Sequence, residues 1–424
     1  MENLGWLVID KVLRIGLGLV LMIWLARYLG PEQFGLLNYA IAFVGLFGAL
    51  ASLGLQGIVV RDLVREKNIK EETLGTAAFL QFVGGALSYA LIVLIIYRVR
   101  PDSPTLQLLV LVIGATILFK ASDIAIYWFE SQVQSKYTVW VQNTVFIVFF
   151  GVNATLILAG APLAAFAWAM MFEVLVVAIL LLVLLDRLGP GLTALTASIS
   201  RAGALLSESW PLLLSGFAIL VYMKIDQIMI GQILGDSSVG IYSVAVRVSE
   251  AWYFVPMAIS ASVFPAILDA RERSHEQYDS RMQYLYGLLV WFSILVALPM
   301  TLFSAALISA LFGPAYSQAG PILAIHIWAA VFVFLGVASS KWYLAEGLQI
   351  LHLKRTLLGA LVNVCLNYLL IPRMGAIGAA WATLLSYSIV ALFADLFQKQ
   401  TRRMFYMKIR ALNPLLLLNR PENL

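Results

Sequence analysis

One cysteine and three histidines are all that 424 residues offer as soft metal ligands. Cys365 stands alone in an apolar run, so no intramolecular disulfide can form and cysteine usage marks no redox compartment. His275, His326 and His352 are scattered, and no His, Cys, Asp or Glu spacing reads as a metal cluster. The chain has no GxxxxGK loop followed by Ser or Thr, no GxSxG and no aspartate-rich nucleotide-sugar motif. The machinery of a primary ATPase or of a glycosyltransferase is therefore missing, and no metal or cofactor is expected.

Charge is also scarce. Asp, Glu, Lys and Arg make up 12% of the chain, against about 25% in a soluble domain. Hydrophobic residues reach 62% and the mean hydropathy is +0.90, so the solvent this chain is written for is a bilayer. Trp6 to Ala26 opens with polar, charged residues and lacks a small-residue cleavage site, so the N-terminus is expected to be retained.

What is present is a repeat. Leu29 to Ala40 reads LGPEQFGLLNYA and Leu234 to Ala245 reads LGDSSVGIYSVA, with the Leu-Gly start, the second Gly and the final Ala in register. Val152 onward (VNATLILAGAPLAAFAWA) is echoed from Leu366 onward (LNYLLIPRMGAIGAAWA). Apolar stretches long enough to span fall at 6–26, 34–60, 73–97, 105–129, 138–158 and 164–185, then at 209–231, 239–265, 283–308, 320–340, 355–371 and 377–397. Six per half makes both halves start on the same side, so the expected fold is all-α: about twelve transmembrane helices in two parallel six-helix lobes around a central cavity. The expected organisation is an N-terminal lobe over 1–185, an inter-lobe linker over 186–208, a C-terminal lobe over 209–397 and a tail over 398–424.

Basic residues set the expected orientation. With the N-terminus inside, the outer connections hold only Arg27, Arg98, Arg100 and Arg373, whereas the inner connections and tail hold most of the remaining Lys and Arg. Both termini are then cytoplasmic in a multi-pass plasma (inner) membrane protein. The net charge of +5 is spread over many short loops, which makes it a topology signal and excludes a nucleic-acid partner.

Charges inside or at the margins of the spans are the candidate functional residues, because each costs about 2.5 to 3.5 kcal/mol near a helix centre unless it faces the bundle interior. Asp10, Lys11 and Arg14 share one side of the first helix, where positive charge is in surplus. Lys120 with Asp123, and Arg247 with Glu250, are three apart and can neutralise one another. Lys224 and Asp226 point to different sides of one helix, and His326 lies in a span just after Pro321. Gly16, Gly18, Gly84, Gly85, Pro256 and Pro299 allow either bending or close packing.

At these motifs the chain resembles a known family. ARYLGPEQFGLLNYAIAFVGLFGALASLGL from Ala26 to Leu55, followed by Arg61, resembles the first-loop signature of polysaccharide exporters, the O-antigen type flippases of the multidrug/oligosaccharidyl-lipid/polysaccharide (MOP) exporter superfamily. Lys224 to Pro265 resembles the start of their second half, and Asn367 to Tyr387 is similar to their last two helices. The resemblance implies a carrier, not an enzyme, that moves an undecaprenyl-diphosphate-linked oligosaccharide from the cytoplasmic to the outer leaflet by alternating access. It implies a cationic substrate-binding lumen at Lys11, Arg14, Lys224 and Arg247, with Asp10, Asp123, Asp226 and Glu250 in supporting or coupling roles. Membrane lipids, proton or sodium coupling and a polysaccharide polymerase are the partners to consider. This sequence departs from a plainly cationic lumen, since Asp10, Asp123, Glu173, Asp226 and Glu250 match the bases in number. Rival readings are a MATE-type cation-coupled drug antiporter, a lipid II flippase, and a membrane polymerase or ligase, the last disfavoured by outer connections that are all short.

Overall fold

Apolar stretches of this length, with every backbone polar group needing an internal partner, leave the helix as the only open-chain solution. The computed structural model describes the backbone of residues 2–417. The side chains of residues 2–13, 67, 344, 345, 349, 416 and 417 lie outside what is described, and with them Asp10 and Lys11. Among the described residues the α-helices are α1 (Glu2–Ser52), α2 (Gln56–Arg65), α3 (Lys70–Val99), α4 (Pro104–Gly114), α5 (Ile124–Ser131), α6 (Lys136–Leu158), α7 (Leu163–Leu188), α8 (Ile199–Ile233) and α9 (Asp236–Glu250). There follow α10 (Phe254–Arg273), α11 (His275–Leu302), α12 (Ser304–Phe312), α13 (Ala319–His326), α14 (Ala329–Ala345), α15 (Gln349–Met374), α16 (Ala376–Ala391) and α17 (Arg402–Arg410).

Among the described residues, 11 helical stretches are long and apolar enough to cross a membrane. The first of them, Arg14–Arg65, runs from α1 through α2, and α1 itself is two legs joined at a corner, because Gly30 within it is non-helical at φ 70, ψ 173. Counting the two legs of α1 separately, each of the twelve apolar stretches of the sequence is mostly helical here, and the protein is a multi-pass membrane protein. Leu87, Leu94 and Leu361 expose their side chains on the spans, as lipid-facing residues do.

Several stretches are interrupted, 34–60 at Leu53–Leu55, 283–308 at Phe303 and 320–340 at Ile327–Trp328, and two more depart further from simple spans. Ala115–Asp123, between α4 and α5, is wound as a 3-10 helix. The stretch expected at 239–265 breaks after Glu250 and restarts at Phe254 as α10, with Pro256 in its first turn, where a missing N–H costs least.

The chain divides into two compact units, Met1–Ile228 and Met229–Leu424. In the first, Leu55, Val59, Leu74, Tyr127, Leu181 and Leu205 form an apolar core that ties the start of α8 to α2, α3, α5 and α7. The segment before α8 lies directly on α3. A Cβ at Gly75 would stand 2.3 Å from the Thr196 carbonyl oxygen, so only glycine permits this approach. In the second unit, Tyr278, Met282, Tyr286, Leu289 and Phe334 form the core, and Met404 and Ala411 bring α17 and the residue after it into it.

Candidate functional site: charged centres within the two units

Arg14 is half-buried on α1. Its Nε–H donates to Asn143 Oδ1 on α6 at 3.1 Å, and its guanidinium carbon stands 5.7 Å from the Phe146 ring centroid, one turn along the same helix. Glu173 on α7 is close enough to feel the Arg14 charge. The sequence reading attached neither Asn143 nor Phe146 to this cation. Gly16 and Gly18, on the same helix, have no described heavy atom within 4 Å of where a Cβ would stand.

The remaining candidates are dispersed. Lys120 Nζ and Asp123 Oδ2 pair at 3.1 Å in the 3-10 segment, as their spacing allows. Asp226 is 3% exposed, and its Oδ1 accepts the backbone N–H of Gln227 at 2.8 Å, while Lys224 is half-buried on the same helix. In the second unit Arg247 is exposed on α9 and Glu250 half-buried. His326 is buried, with Nδ1 3.0 Å from Ser249 Oγ and its ring edge-on to Tyr242.

Two polar networks were not singled out by sequence. In the first unit Asp62, on α2, holds Arg61 at 2.6 Å and Arg201 at 2.8 Å; Arg61 also reaches Glu208 at 2.5 Å, and Arg201 lies 3.6 Å from Glu66. In the second unit Asp395, fully buried, pairs with Arg355 and, at 2.7 Å, with Lys408. Arg355 also donates to the Tyr343 hydroxyl, to Thr401 Oγ1 at 2.7 Å and to the Ala394 carbonyl at 3.0 Å. Burial pushes the Lys408 ammonium down from its ordinary range, and the Asp395 carboxylate opposes that shift. The only hint in sequence is topological: the start of α15 and the residues just after α16 lie side by side at the open end of one antiparallel hairpin, which brings Arg355 near Asp395. Further along that hairpin Asn367 Nδ2 donates to Asn363 Oδ1 at 3.0 Å, and Asn363 Nδ2 to Ser386 Oγ at 3.2 Å.

No group of three or more metal-ligating side chains occurs among the described residues. Buried ion pairs, amide ladders and one half-buried arginine can hold and orient charge inside a membrane protein.

Comparison with known proteins gives the family. Residues 1–271 match the family described as polysaccharide biosynthesis protein, and residues 211–369 match the MatE family. The chain is 23% identical to the probable low-salt glycan biosynthesis flippase Agl15 of Haloferax volcanii, over 90% of this chain and 80% of that protein. It is 33% identical to the probable flippase AglR of the same organism, over 46% of this chain and 42% of that one. Among solved structures, the lipid II flippase MurJ in an inward closed conformation superposes with a TM-score of 0.74 at 15% identity, covering 97% of this chain and 91% of MurJ. A MATE family multidrug transporter of the MOP superfamily, inward-facing, gives 0.72 at 14% identity, with 96% of each chain covered. With well over half its length matched by one family model, this chain belongs to the polysaccharide biosynthesis protein family, and it has the fold of these transporters.

Proposed function

We propose that this protein is a flippase that carries an undecaprenyl-diphosphate-linked oligosaccharide from the cytoplasmic to the outer leaflet of the plasma membrane by alternating access, for O-antigen or exopolysaccharide biosynthesis. Both termini face the cytoplasm in this reading, and the membrane work is done by the six-helix lobes over 1–185 and 209–397. The observation that carries it is Arg14: a half-buried guanidinium in the first span whose Nε is held by a neutral amide. Charge-assisted contacts to phosphate are strong, and an Arg fork reaches two oxygens at once. Lys11 joins Arg14 in holding the diphosphate, with Asp10 orienting them; Lys224 and Arg247 are the second-choice contacts.

A sugar diphosphate cannot cross hydrocarbon without losing its hydration, so the carrier must replace that hydration with fixed polar groups while the polyprenyl tail stays in lipid. An inside-negative potential favours outward movement of the anion by about 2.3 kcal/mol per charge per 100 mV, so the carrier needs no bond-breaking step of its own. The glycan roles in the names of Agl15 and AglR support this substrate class. The MatE match over 211–369 and the buried Asp226 favour one alternative, a cation-coupled drug antiporter.

One experiment separates the two. Arg14→Ala should leave expression and membrane insertion near normal while flipping of a fluorescent polyprenyl-diphosphate oligosaccharide in proteoliposomes falls sharply; Arg14→Lys should keep part of it. Normal flipping by Arg14→Ala at matched protein levels would move the headgroup site elsewhere. No flipping by the wild-type protein, together with efflux of a cationic dye, would establish the antiporter instead.

A further inference from the structure

The helix that follows the last span has one face fixed by the protein, and that fixes the other. Met404 and Ala411 are buried in the core of the second unit, and Met407 packs against it. Lys408, 2% exposed, donates from Nζ to the Ala391 carbonyl at 2.6 Å and to Asp395 at 2.7 Å. Gln283 Nε2 on α11 donates to the Met407 carbonyl at 2.8 Å, and Arg403 pairs with Asp279. α17 therefore cannot roll about its axis.

At roughly 100° per residue the sector opposite this anchored face holds Arg402, Tyr406, Ile409 and Arg410. All four are exposed, Tyr406 at 54% and Ile409 at 40%. Large apolar side chains continue on both sides of the helix, with Phe397 85% exposed before it and Leu412 and Leu415 at 51% and 63% after it. Arg402 and Arg410 form no ion pair among the described residues. Phe397 ends the last span and Arg402 opens α17, so the helix starts at the depth where hydrocarbon gives way to headgroups.

We propose that α17 is an interfacial helix that docks on anionic lipid headgroups beside the last span. Charge complementarity selects that occupant. Tyr406, Ile409 and Leu412 reach the acyl boundary, while Arg402 and Arg410 extend to phosphate oxygens. The negative leaflet surface attracts each cation. Lys408 serves as the internal peg that turns the apolar sector to the lipid, and the buried Arg355–Asp395 pair ties the peg to α15 and α16.

The test uses full-length protein with Cys365, the exposed native cysteine, replaced by serine and a nitroxide placed at Ile409→Cys. The protein is reconstituted in nanodiscs of phosphatidylcholine alone or mixed with phosphatidylglycerol. In the mixed discs the label should be more accessible to oxygen than to an aqueous nickel chelate, and in phosphatidylcholine the preference should weaken. Arg402→Gln with Arg410→Gln, both on the exposed face and away from the packed one, should lower the oxygen-to-nickel accessibility ratio in the mixed discs to its value in phosphatidylcholine, because the negative surface no longer attracts the helix. Equal aqueous accessibility in both lipids would overturn the proposal, because the sector would then face water or another protein. Burial in both lipids that ignores the double variant would also overturn it, by removing the headgroup contact.

Discussion

The two corners at Gly30 and Gly235 share a backbone, whereas the two charged networks share nothing. Gly30 stands at φ 70, ψ 173 and Gly235 at φ 90, ψ 174, each at the Leu-Gly step of the motif that occurs twice in the chain. In the first unit, polar tension is resolved by a partly wet network in which Asp62 shares two arginines with Glu66 and Glu208. In the second it is resolved by a dry centre, where Asp395 alone answers Arg355 and Lys408. A duplicated backbone feature persists where one residue type satisfies it, and only glycine occupies this region of φ/ψ without strain. Side-chain networks are free to diverge, since many pairings can neutralise a charge near a helix end.

The sharpest break in that comparison comes from the dry centre. Asp395→Asn leaves two buried cations without a carboxylate, since neither Arg355 nor Lys408 has a second acidic partner among the described residues. Leaving a buried charge uncompensated costs about 3–5 kcal/mol, so this variant should lose most folded protein in detergent, as read by fluorescence size-exclusion after heating. Retention of the wild-type melting profile would mean that water reaches the centre.

The corners should respond equally. Nothing described lies within 4 Å of an added Cβ at either glycine, so Gly30→Ala and Gly235→Ala test backbone strain without a clash. Each should destabilise by about 1–3 kcal/mol, seen as matching drops in melting temperature. A large effect at one corner and none at the other would break the structural equivalence of the motif.

These elements differ in how visible they were beforehand. The twelve helices were legible because a 20-residue apolar run has no other stable form in lipid, and the corners because the Leu-Gly echo sits between two such runs. The 3-10 turn at Ala115–Asp123 was not, since hydropathy is blind to how tightly a helix is wound. Arg14 stood out as a charge in a span, but its contact Asn143 is an uncharged residue on a distant helix, and only the packing of α1 on α6 joins them. Arg355 and Lys408 read as ordinary topology charges, one at the start of a span and one in the tail. What removes them from water is the return of α17 against the core, a long-range contact that local pattern does not encode.

The smallest effect should come from the wet network, and its smallness is informative. Asp62 is only 4% exposed, yet Asp62→Asn leaves Arg61 with Glu208 at 2.5 Å and Arg201 with Glu66 at 3.6 Å. Both replacement pairs are solvated, the Glu208 and Glu66 side chains being 48% and 50% exposed, so salt screens them. The loss should be about 1 kcal/mol, in the range of exposed ion pairs, and the variant's melting temperature should fall further below wild type as salt rises, because its remaining pairs are the screened ones. Thr73 Oγ1 accepts from Arg201 Nε at 3.2 Å and keeps the start of α8 on α3 when the carboxylate is gone. A loss as large as that of Asp395→Asn would show that Asp62 is a dry centre too, and that the two units solved their charge problem in the same way.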